Sequence, residues 1–257
     1  MCDHCGCSQA VSHGHHHGEA GETAGHGHAH EHHHEAETRT IELHRSLMAL
    51  NERLAEQNRG YFKARHTLAL NIVSSPGAGK TSLIEATVRA LSGEFRMAVI
   101  VGDLATDRDA QRIRAAGAPA VQVTTGTVCH LDAHMVQHAL ENLGDAPVDV
   151  LFIENVGNLV CPASFDLGER LRVVVLSVTE GEDKPLKYPS IFQSADAVVL
   201  SKIDLALAAG FDREFALANI RTAAPAARIF ELSAKTGEGL EPWFNFLRAH
   251  APIRRVS

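Results

Sequence analysis

The feature that most constrains the fold is a glycine-rich segment that directly follows an apolar run. Residues 74–81 read Ser-Ser-Pro-Gly-Ala-Gly-Lys-Thr, and residues 68–73 read Leu-Ala-Leu-Asn-Ile-Val. A strand that ends in such a loop and continues into a helix forms a P-loop, whose backbone N–H groups surround phosphate oxygens. The sequence therefore predicts an α/β protein that binds a nucleoside triphosphate.

The loop residues predict individual contacts with the nucleotide. The ammonium of Lys80 is expected at the β- and γ-phosphates, and the hydroxyl of Thr81 is expected on Mg²⁺. Ser74 stands where the motif has its first glycine, a mild change because Gly77 and Gly79 remain. The predicted phosphate-binding residues are Ser75, Gly77, Ala78, Gly79, Lys80, Thr81 and Ser82.

Apolar runs alternate with helical patterns along the rest of the chain. This alternation predicts a mainly parallel, twisted sheet flanked by helices. Functional loops are then expected at the carboxyl ends of the strands. The predicted strands after the first one are Met97–Val101, Val121–Thr124, Val148–Ile153, Val173–Val178, Val198–Leu200 and Arg228–Leu232.

Composition divides the 257 residues into three predicted parts. Residues 1–37 are rich in histidine, glycine and glutamate without apolar periodicity, so we expect a disordered tail when no ligand is bound. Residues 38–65 are predicted to form an amphipathic helix, because Leu43, Leu47, Leu50 and Leu54 recur at helical spacing. That stripe is expected to pack on the main domain or on a partner. The P-loop domain is expected to span residues 66–257.

Charge and hydropathy exclude several classes of partner. The chain has a net charge of −7, and residues 1–37 contain acidic residues but no lysine or arginine, which argues against nucleic acid. No segment resembles a signal peptide or a membrane span, so a cytoplasmic location without membrane attachment is expected. Cysteines in that reducing compartment are metal ligands or reactive thiols rather than disulfides.

The N-terminus carries a predicted metal-binding cluster. Cys2, Cys5 and Cys7 are close enough in sequence for three thiolates to reach one ion, and such donors favour Ni²⁺, Cu²⁺ or Zn²⁺ over Mg²⁺. Twelve of the 17 histidines lie in the first 44 residues, where they suit the buffering of several ions. An engineered purification tag is the alternative interpretation, disfavoured by the interrupting residues and the preceding cysteines.

Acidic residues follow two of the predicted strands. Asp103 could bind Mg²⁺ or orient the attacking water, and Glu154 could hold Mg²⁺ through water. The N–H of Gly157 could bond the γ-phosphate. Because Glu154 replaces the usual aspartate and no glutamine follows Gly157, slow intrinsic hydrolysis is expected. Asp107 and Asp109 are interpreted as a solvated helix start.

The segment Ser201-Lys202-Ile203-Asp204 resembles the guanine signature Asn-Lys-x-Asp. The Asp204 carboxylate can accept from the guanine N1–H and the exocyclic amine, a pairing that adenine cannot make, and the Lys202 stem can lie along the base. Ser201 replaces an amide that would brace this pocket, which predicts weaker nucleotide binding. The loop Ser233-Ala234-Lys235 matches the supporting base-contact loop, so we expect GTP rather than ATP.

Taken together, the P-loop, the segment Glu154–Asn158, the guanine signature and the Cys/His-rich N-terminus resemble the HypB family of hydrogenase-maturation, nickel-insertion GTPases. The resemblance covers essentially the whole chain. It implies a GTPase of the class that includes the signal recognition particle and MinD, the SIMIBI class. It further implies a homodimer promoted by GTP, a nickel accessory protein of the HypA type, and a [NiFe]-hydrogenase large-subunit precursor as client.

The resemblance also implies a second metal site, for Ni²⁺ or Zn²⁺, at Cys129, His130 and Cys161. Adjacent Cys and His seldom chelate one ion with good geometry, so a site shared across a dimer axis is expected. The competing interpretation is that both cysteines are buried as small hydrophobic side chains. His134 and His138 follow on one predicted helical face and could add ligands, although we expect them to be solvated helix histidines.

Two other functions remain open from sequence alone. One is a nickel-storage protein, in which the N-terminal tail holds the ions and nucleotide binding is only regulatory. The urease-accessory GTPases are closely similar, although the N-terminal cysteines and the set Cys129, His130 and Cys161 favour the hydrogenase relative.

Overall fold

The computed structural model of the chain describes the backbone of residues 31–252 and the side chains of residues 45–252. Cys2, Cys5 and Cys7 lie outside the described residues, as does most of the predicted tail. The side chain of Leu43 lies outside them as well. The main compact unit begins at Asn51.

Within residues 31–252 the chain forms one sheet of seven parallel strands, in the order β3-β2-β4-β1-β5-β6-β7. The strand that leads into the glycine-rich loop is therefore central. The strands are β1 (Leu68–Ser74), β2 (Met97–Asp103), β3 (Ala120–Thr124), β4 (Val150–Glu154), β5 (Leu171–Ser177), β6 (Ala197–Ser201) and β7 (Arg228–Leu232).

Helices connect successive strands, as parallel pairing requires. In the described part of the chain they are α1 (Glu31–Ala64), α2 (Lys80–Leu91), α3 (Arg108–Ala116), α4 (Ala133–Leu143), α5 (Lys184–Lys187), α6 (Pro189–Gln193), α7 (Ala206–Ala209), α8 (Arg213–Ala223) and α9 (Leu240–His250). Short 3-10 helices occur at Cys161–Ser164 and Ile203–Leu205.

The core lies on both faces of the sheet. Alternate residues of β1 point to opposite faces, and all seven of its residues are buried. Leu70 and Ile72 pack with residues of α2, α3 and α9 on one face. On the other face Ala69 packs with Phe62 of α1 and with residues of α4, while Val73 packs with residues of α6 and α8. A two-sided core of this kind holds the carboxyl ends of the strands in fixed positions.

The predicted fold class, a mainly parallel sheet flanked by helices, is confirmed. The last strand matches its predicted bounds, and β4 begins at Val150 instead of Val148. The helix predicted for residues 38–65 begins earlier, at Glu31, and ends at Ala64. On this helix Leu47 and Leu50 are exposed, Leu54 is half-buried, and Ala55 is fully buried.

No helix in residues 31–252 combines the length and the apolar character needed to cross a membrane. This holds for the 34-residue α1.

Candidate functional site

Two glycines shape the loop that joins β1 to α2. Gly77 has a φ of 73° and Gly79 has a φ of 101°, a left-handed region that favours glycine. Lys80 and Thr81 then begin α2, so the unpaired N–H groups of the first helical turn are available to an anion. The predicted strand, glycine-rich loop and helix thus occur in the predicted order.

A cavity of about 500 Å³ lies over this loop at the carboxyl end of the sheet. That volume is within the range typical of small-molecule sites. Of the residues predicted from sequence, Gly77, Gly79, Lys80, Thr81, Ser82, Asp103, Glu154, Gly157 and Lys202 line it. Ser75 and Ala78 belong to the same loop without lining the cavity, and the Ser75 Oγ atom lies 3.4 Å from the Nζ atom of Lys184.

The ammonium of Lys80 lies at the floor of the cavity. Its Nζ atom donates to Ser74 Oγ at 2.9 Å, and the residue is only 8% exposed. Burial lowers the pKa of Lys80, while the nearby Glu154 and Asp109 carboxylates act in the opposite direction. Replacement of the usual first glycine by Ser74 therefore supplies an oxygen that orients the lysine, and the phosphates of a nucleotide would satisfy its remaining donors.

Glu154 faces Thr81 across the cavity, at the end of β4. The Thr81 hydroxyl donates to Glu154 Oε1 at 2.6 Å, and Glu154 Oε2 is buried without a partner among the described residues. Burial raises the pKa of Glu154 to about 7, although Lys80 and the Thr81 bond oppose this shift. A hydroxyl beside an unpaired buried carboxylate oxygen is a donor set that suits Mg²⁺, a cation that prefers oxygen ligands.

The raised pKa of Glu154 predicts how the stability of the nucleotide-free protein depends on pH. The folded state retains the proton up to about pH 7, while the unfolded chain releases it near 4.5, so this residue lowers the free energy of unfolding as pH rises between those values. The loss is about 3 kcal/mol. Chemical denaturation of wild type and Glu154→Gln at several pH values measures it. The two proteins should have similar free energies of unfolding near pH 5, and Glu154→Gln should be the more stable one at pH 8. If the free energies of unfolding of both proteins changed in parallel with pH, the prediction would be contradicted.

Asp103 is the last residue of β2, at the rim of the cavity, and its side chain hydrogen-bonds to the loop that follows. Its Oδ1 atom accepts from the N–H groups of Ala105 and Thr106, both at 2.9 Å. Burial acts to raise the pKa of Asp103, but these hydrogen bonds and the charge of Lys80 outweigh it, so the pKa lies below its usual value. Asp103 is therefore an ionised carboxylate at the position where an Mg²⁺ or water contact was expected.

The first turn of α3 contributes two cavity-lining residues that sequence reasoning did not assign to the site. Asp109 was interpreted as part of a solvated helix start, yet it lines the cavity together with Arg112. Arg112 pairs with Asp109 at 3.2 Å and with Glu85 at 2.9 Å, and it donates to Ser82 Oγ at 3.1 Å. Asp109 stands in the first turn of α3 and is partly exposed, as expected, and the packing of α3 against α2 also places it at the cavity. Asp107 does precede the helix, as its N-cap residue, and pairs with Arg114.

Ser201 and Lys202 attach the end of β6 to the glycine-rich loop. The buried Ser201 hydroxyl donates to the Ala78 carbonyl at 2.6 Å, and Lys202 Nζ donates to the Gly77 carbonyl at 2.6 Å. Ser201 lacks the expected amide, but its hydroxyl makes a link of its own to the loop. The weaker nucleotide binding expected from this replacement stays a prediction. Lys202 has a φ of 58°, a left-handed conformation for a residue with a side chain.

Asp204 is exposed next to this link, on the 3-10 helix Ile203–Leu205, and its carboxylate makes no hydrogen bond to any described residue. It does not line the cavity. The predicted supporting loop follows the neighbouring strand β7, where Ser233 is fully buried and its Oγ accepts from the Thr236 N–H at 3.2 Å. Ala234 is half-buried and Lys235 is exposed. The guanine-signature residues and their supporting loop thus follow adjacent parallel strands.

Cys129, His130 and Cys161 form a cluster beside the nucleotide cavity. One ligand atom from each residue lies within 4.8 Å of the others, and the two Sγ atoms are 2.7 Å apart. The His130 ring packs on the Phe165 ring with centroids 3.8 Å apart, and its Nδ1 atom is buried without a partner among the described residues. Burial lowers the pKa of His130, partly opposed by Asp132, which favours the neutral imidazole that binds metal.

These donors fit a late transition metal, since two thiols and a neutral imidazole match the preference of Ni²⁺ and Zn²⁺. The expectation that an ion here is shared across a dimer axis stays a prediction, but the three ligand groups already lie close together within one chain. The three groups converge within one chain because the 3-10 helix brings Cys161 to Cys129. Both cysteines are partly exposed, unlike buried hydrophobic cysteines. His134 and His138 are exposed on α4 and stand outside the cluster.

Comparison with known proteins identifies the family. The family model described as the CobW/HypB/UreG nucleotide-binding domain matches residues 68–231. The hydrogenase maturation factor HypB of Rhizobium leguminosarum bv. viciae is 50% identical over 218 residues, which cover 85% of this chain and 73% of the relative. The chain belongs to the HypB family.

Solved HypB structures have the same fold. The hydrogenase maturation factor HypB of Archaeoglobus fulgidus aligns with a TM-score of 0.74 and 46% identity, covering 78% of this chain and 98% of the other. HypB from Helicobacter pylori in complex with nickel aligns with a TM-score of 0.74 and 39% identity, covering 79% and 98%. The matched segment 68–231 contains both the cavity and the cysteine–histidine cluster of this HypB family member.

Proposed function

We propose that the protein is a GTP-hydrolysing nickel metallochaperone that helps insert nickel into a [NiFe]-hydrogenase. The observation that carries this proposal is the juxtaposition of two sites on one short segment. Glu154 lies in the cavity at the end of β4, and Cys161 lies in the metal cluster seven residues later. A rearrangement of this segment during hydrolysis would therefore reach a metal ligand directly. Relatives named as hydrogenase maturation factors, and a HypB solved in complex with nickel, support the same cargo.

In the proposed reaction the chain orients GTP and a water molecule. Lys80 holds the β- and γ-phosphates, and the N–H of Gly157 contacts the γ-phosphate. Thr81, Asp103 and Glu154 would hold Mg²⁺, which supplies positive charge to the phosphates when bound. Asp103 and Glu154 also position the attacking water, and the absence of a glutamine after Gly157 is consistent with slow turnover.

The base of GTP is assigned to the ends of β6 and β7. Lys202, already fixed to the Gly77 carbonyl, lies along the base, and Asp204 accepts its N1–H and amine. Ser233, Ala234 and Lys235 support this contact. The exposed, unbonded Asp204 carboxylate is available for such a pairing in the described structure.

Nickel is assigned to two places. Cys129, His130 and Cys161 form the site that nucleotide state controls, and Zn²⁺ suits the same donors. Cys2, Cys5 and Cys7 form a second Ni²⁺ site in an N-terminal segment of residues 1–37. This segment is followed by a helical segment of residues 38–65 and a GTPase domain of residues 66–257. GTP promotes a homodimer that works with a HypA-type accessory protein and a hydrogenase large-subunit precursor. A cytoplasmic location keeps these thiols reduced.

The proposal is tested by titrating Ni²⁺ into the full chain with Mg·GDP and with a non-hydrolysable GTP analogue, while the oligomeric state is followed by light scattering. Nucleotide-dependent dimerisation together with specific Ni²⁺ binding at the cysteine–histidine cluster is expected. Failure to bind GTP, or Ni²⁺ binding only by residues 1–37, would refute the proposal.

The guanine assignment predicts the effect of Asp204→Asn. Loss of one bidentate carboxylate contact to the base should lower the preference for GTP over ATP by about 10- to 100-fold, in line with the 1–3 kcal/mol of a good bidentate base contact. Competition binding with both nucleotides measures the preference. Asp212→Asn, at an exposed N-cap of α8 away from the cavity, is the matched control. Unchanged discrimination in Asp204→Asn would remove the assignment.

A further inference from the structure

Asn155 lies between the nucleotide cavity and the metal cluster and hydrogen-bonds to both sides. It is 1% exposed and directly follows Glu154. Its side-chain oxygen accepts two backbone N–H groups, that of Val156 at 3.0 Å and that of Leu131 at 3.0 Å. One buried atom thus joins two segments that are 24 residues apart in sequence.

The two bonded peptides belong to different sites. Val156 and Gly157 line the cavity at the position proposed for the γ-phosphate, while Leu131 directly follows His130 of the cluster. The side chain of Leu131 also packs against cavity-lining Gly102, where an added Cβ atom would lie 2.8 Å from it. Leu131 therefore contacts both strand ends that flank the cavity, β2 through packing and β4 through Asn155.

A buried network holds the Asn155 amide in place. Its Nδ2 atom donates to Asn71 Oδ1 at 3.2 Å, and Asn71 donates to Glu169 Oε1 at 3.1 Å. Glu169 also accepts from the Leu167 N–H at 2.8 Å and pairs with Arg172 at 2.7 Å. A shift of the 155–156 peptide must therefore carry Leu131 with it or leave buried donors unpaired, and unpaired buried donors are costly.

We propose that Asn155 is the positioning residue that transmits nucleotide state to the metal cluster, by holding the peptide after His130 to the peptide before Gly157. This inference rests on the proposed function, in which the γ-phosphate contacts the Gly157 segment. Asn155 also lines the cavity, but its side-chain oxygen and nitrogen are both hydrogen-bonded to other residues of the protein. Its effect is on the relative position of the two sites.

The test measures the dissociation constant of Ni²⁺ for the full chain in which Cys2, Cys5 and Cys7 are replaced by serine and the histidines of residues 1–37 by alanine. These changes remove the metal-binding residues of the N-terminal segment from the measurement. The dissociation constant is measured with Mg·GDP and with a non-hydrolysable GTP analogue. In the parent protein, which retains Asn155, we expect the two dissociation constants to differ by about fivefold or more, a typical size for coupling between sites. In Asn155→Ala and Asn155→Ser the ratio should approach one, with both nucleotides still bound.

Asn58→Ala is the matched control for a structural effect. Asn58 is equally buried and donates to the Ala133 and Leu167 carbonyls, so it holds both metal-bearing segments from α1 without contacting the nucleotide loop. Its replacement should weaken Ni²⁺ binding to the same extent with either nucleotide and leave the ratio as in the parent. If the ratio of the two Ni²⁺ dissociation constants also approached one in Asn58→Ala, a specific role for Asn155 would be overturned.

Hydrogen exchange of the parent protein tests the same link without a substitution at Asn155. The Leu131 amide should change its protection when GDP is replaced by the GTP analogue, and this holds even if the Asn155 variants fail to fold. An unchanged Leu131 amide, or a nucleotide ratio that persists in Asn155→Ala, would overturn the inference. Absence of GTP or Ni²⁺ binding in the parent protein would instead refute the proposed function.

Discussion

Replacing Lys80 with alanine is expected to lower the rate of GTP hydrolysis by about 10²- to 10³-fold, the size typical for removal of one preorganised electrostatic contact to a developing charge. Lys80 begins α2 and is held by Ser74 Oγ at 2.9 Å, so its ammonium has one fixed position at the cavity floor. In a site shielded from water a fixed charge acts strongly on phosphate oxygens. Single-turnover hydrolysis, with separate measurement of GTP affinity, gives the effect on each step.

The Lys80→Ala protein should fold, because the substitution removes a buried ammonium that is costly to desolvate, a cost also expressed in its lowered pKa. Ser74 keeps its hydrogen bond to the Ser75 carbonyl. Lys187→Ala is the matched control, since Lys187 is an exposed lysine paired only with Asp183 among the described carboxylates. Wild-type hydrolysis in Lys80→Ala, or an equal loss in Lys187→Ala, would show that the cavity does not bind phosphates as assigned.

The fold was predictable because its signals are local. An apolar run before Gly77 and Gly79 predicts strand, loop and helix within 20 residues, and the apolar runs from Met97 to Leu232 predict the other six strands. Strand ends were predictable for the same reason, which placed Asp103 and Glu154 at one edge of the sheet. All of these predictions depend on residues close in sequence.

The features that could not be predicted depend on packing between distant segments. The sequence places Asp109 at a helix start, and only the packing of α3 on α2 shows that it also lines the cavity. Only the approach of β6 to the loop shows the bond between Ser201 and Ala78. Asn155 carried no sequence signal for its bond to Leu131.

The metal cluster could be predicted from the sequence only in part. The family resemblance implied metal binding at Cys129, His130 and Cys161. Without it, the residue types favoured buried cysteines, and the adjacent Cys and His favoured a site shared across a dimer axis. The convergence follows from β4, whose end sets the path of the chain to Cys161, and from the turn before α4, which presents Cys129 and His130. Both segments are positioned by the parallel sheet, which cysteine spacing does not encode.

The second large effect is expected from Cys161→Ser, which should weaken Ni²⁺ binding at the internal cluster by about 100-fold or more. Replacement of residues that merely orient metal ligands already costs 10- to 100-fold, and serine supplies no thiolate. The change is nearly isosteric at a partly exposed position, so the fold and nucleotide binding should persist. Titration of Ni²⁺ in the presence of the GTP analogue measures the loss, in a full chain in which Cys2, Cys5 and Cys7 are replaced by serine and the histidines of residues 1–37 by alanine.

His134→Ala is the control for this measurement, because His134 is an exposed histidine on α4, four residues from His130 and outside the cluster. Its replacement should leave Ni²⁺ affinity unchanged, whereas Cys129→Ser should reproduce the effect of Cys161→Ser. Combining both cysteine changes should cost little more than either alone, since residues that bind one ion act as a unit and their effects do not add. Additive losses would instead assign the two cysteines to separate ions, and unchanged affinity in both single variants would remove nickel from the cluster.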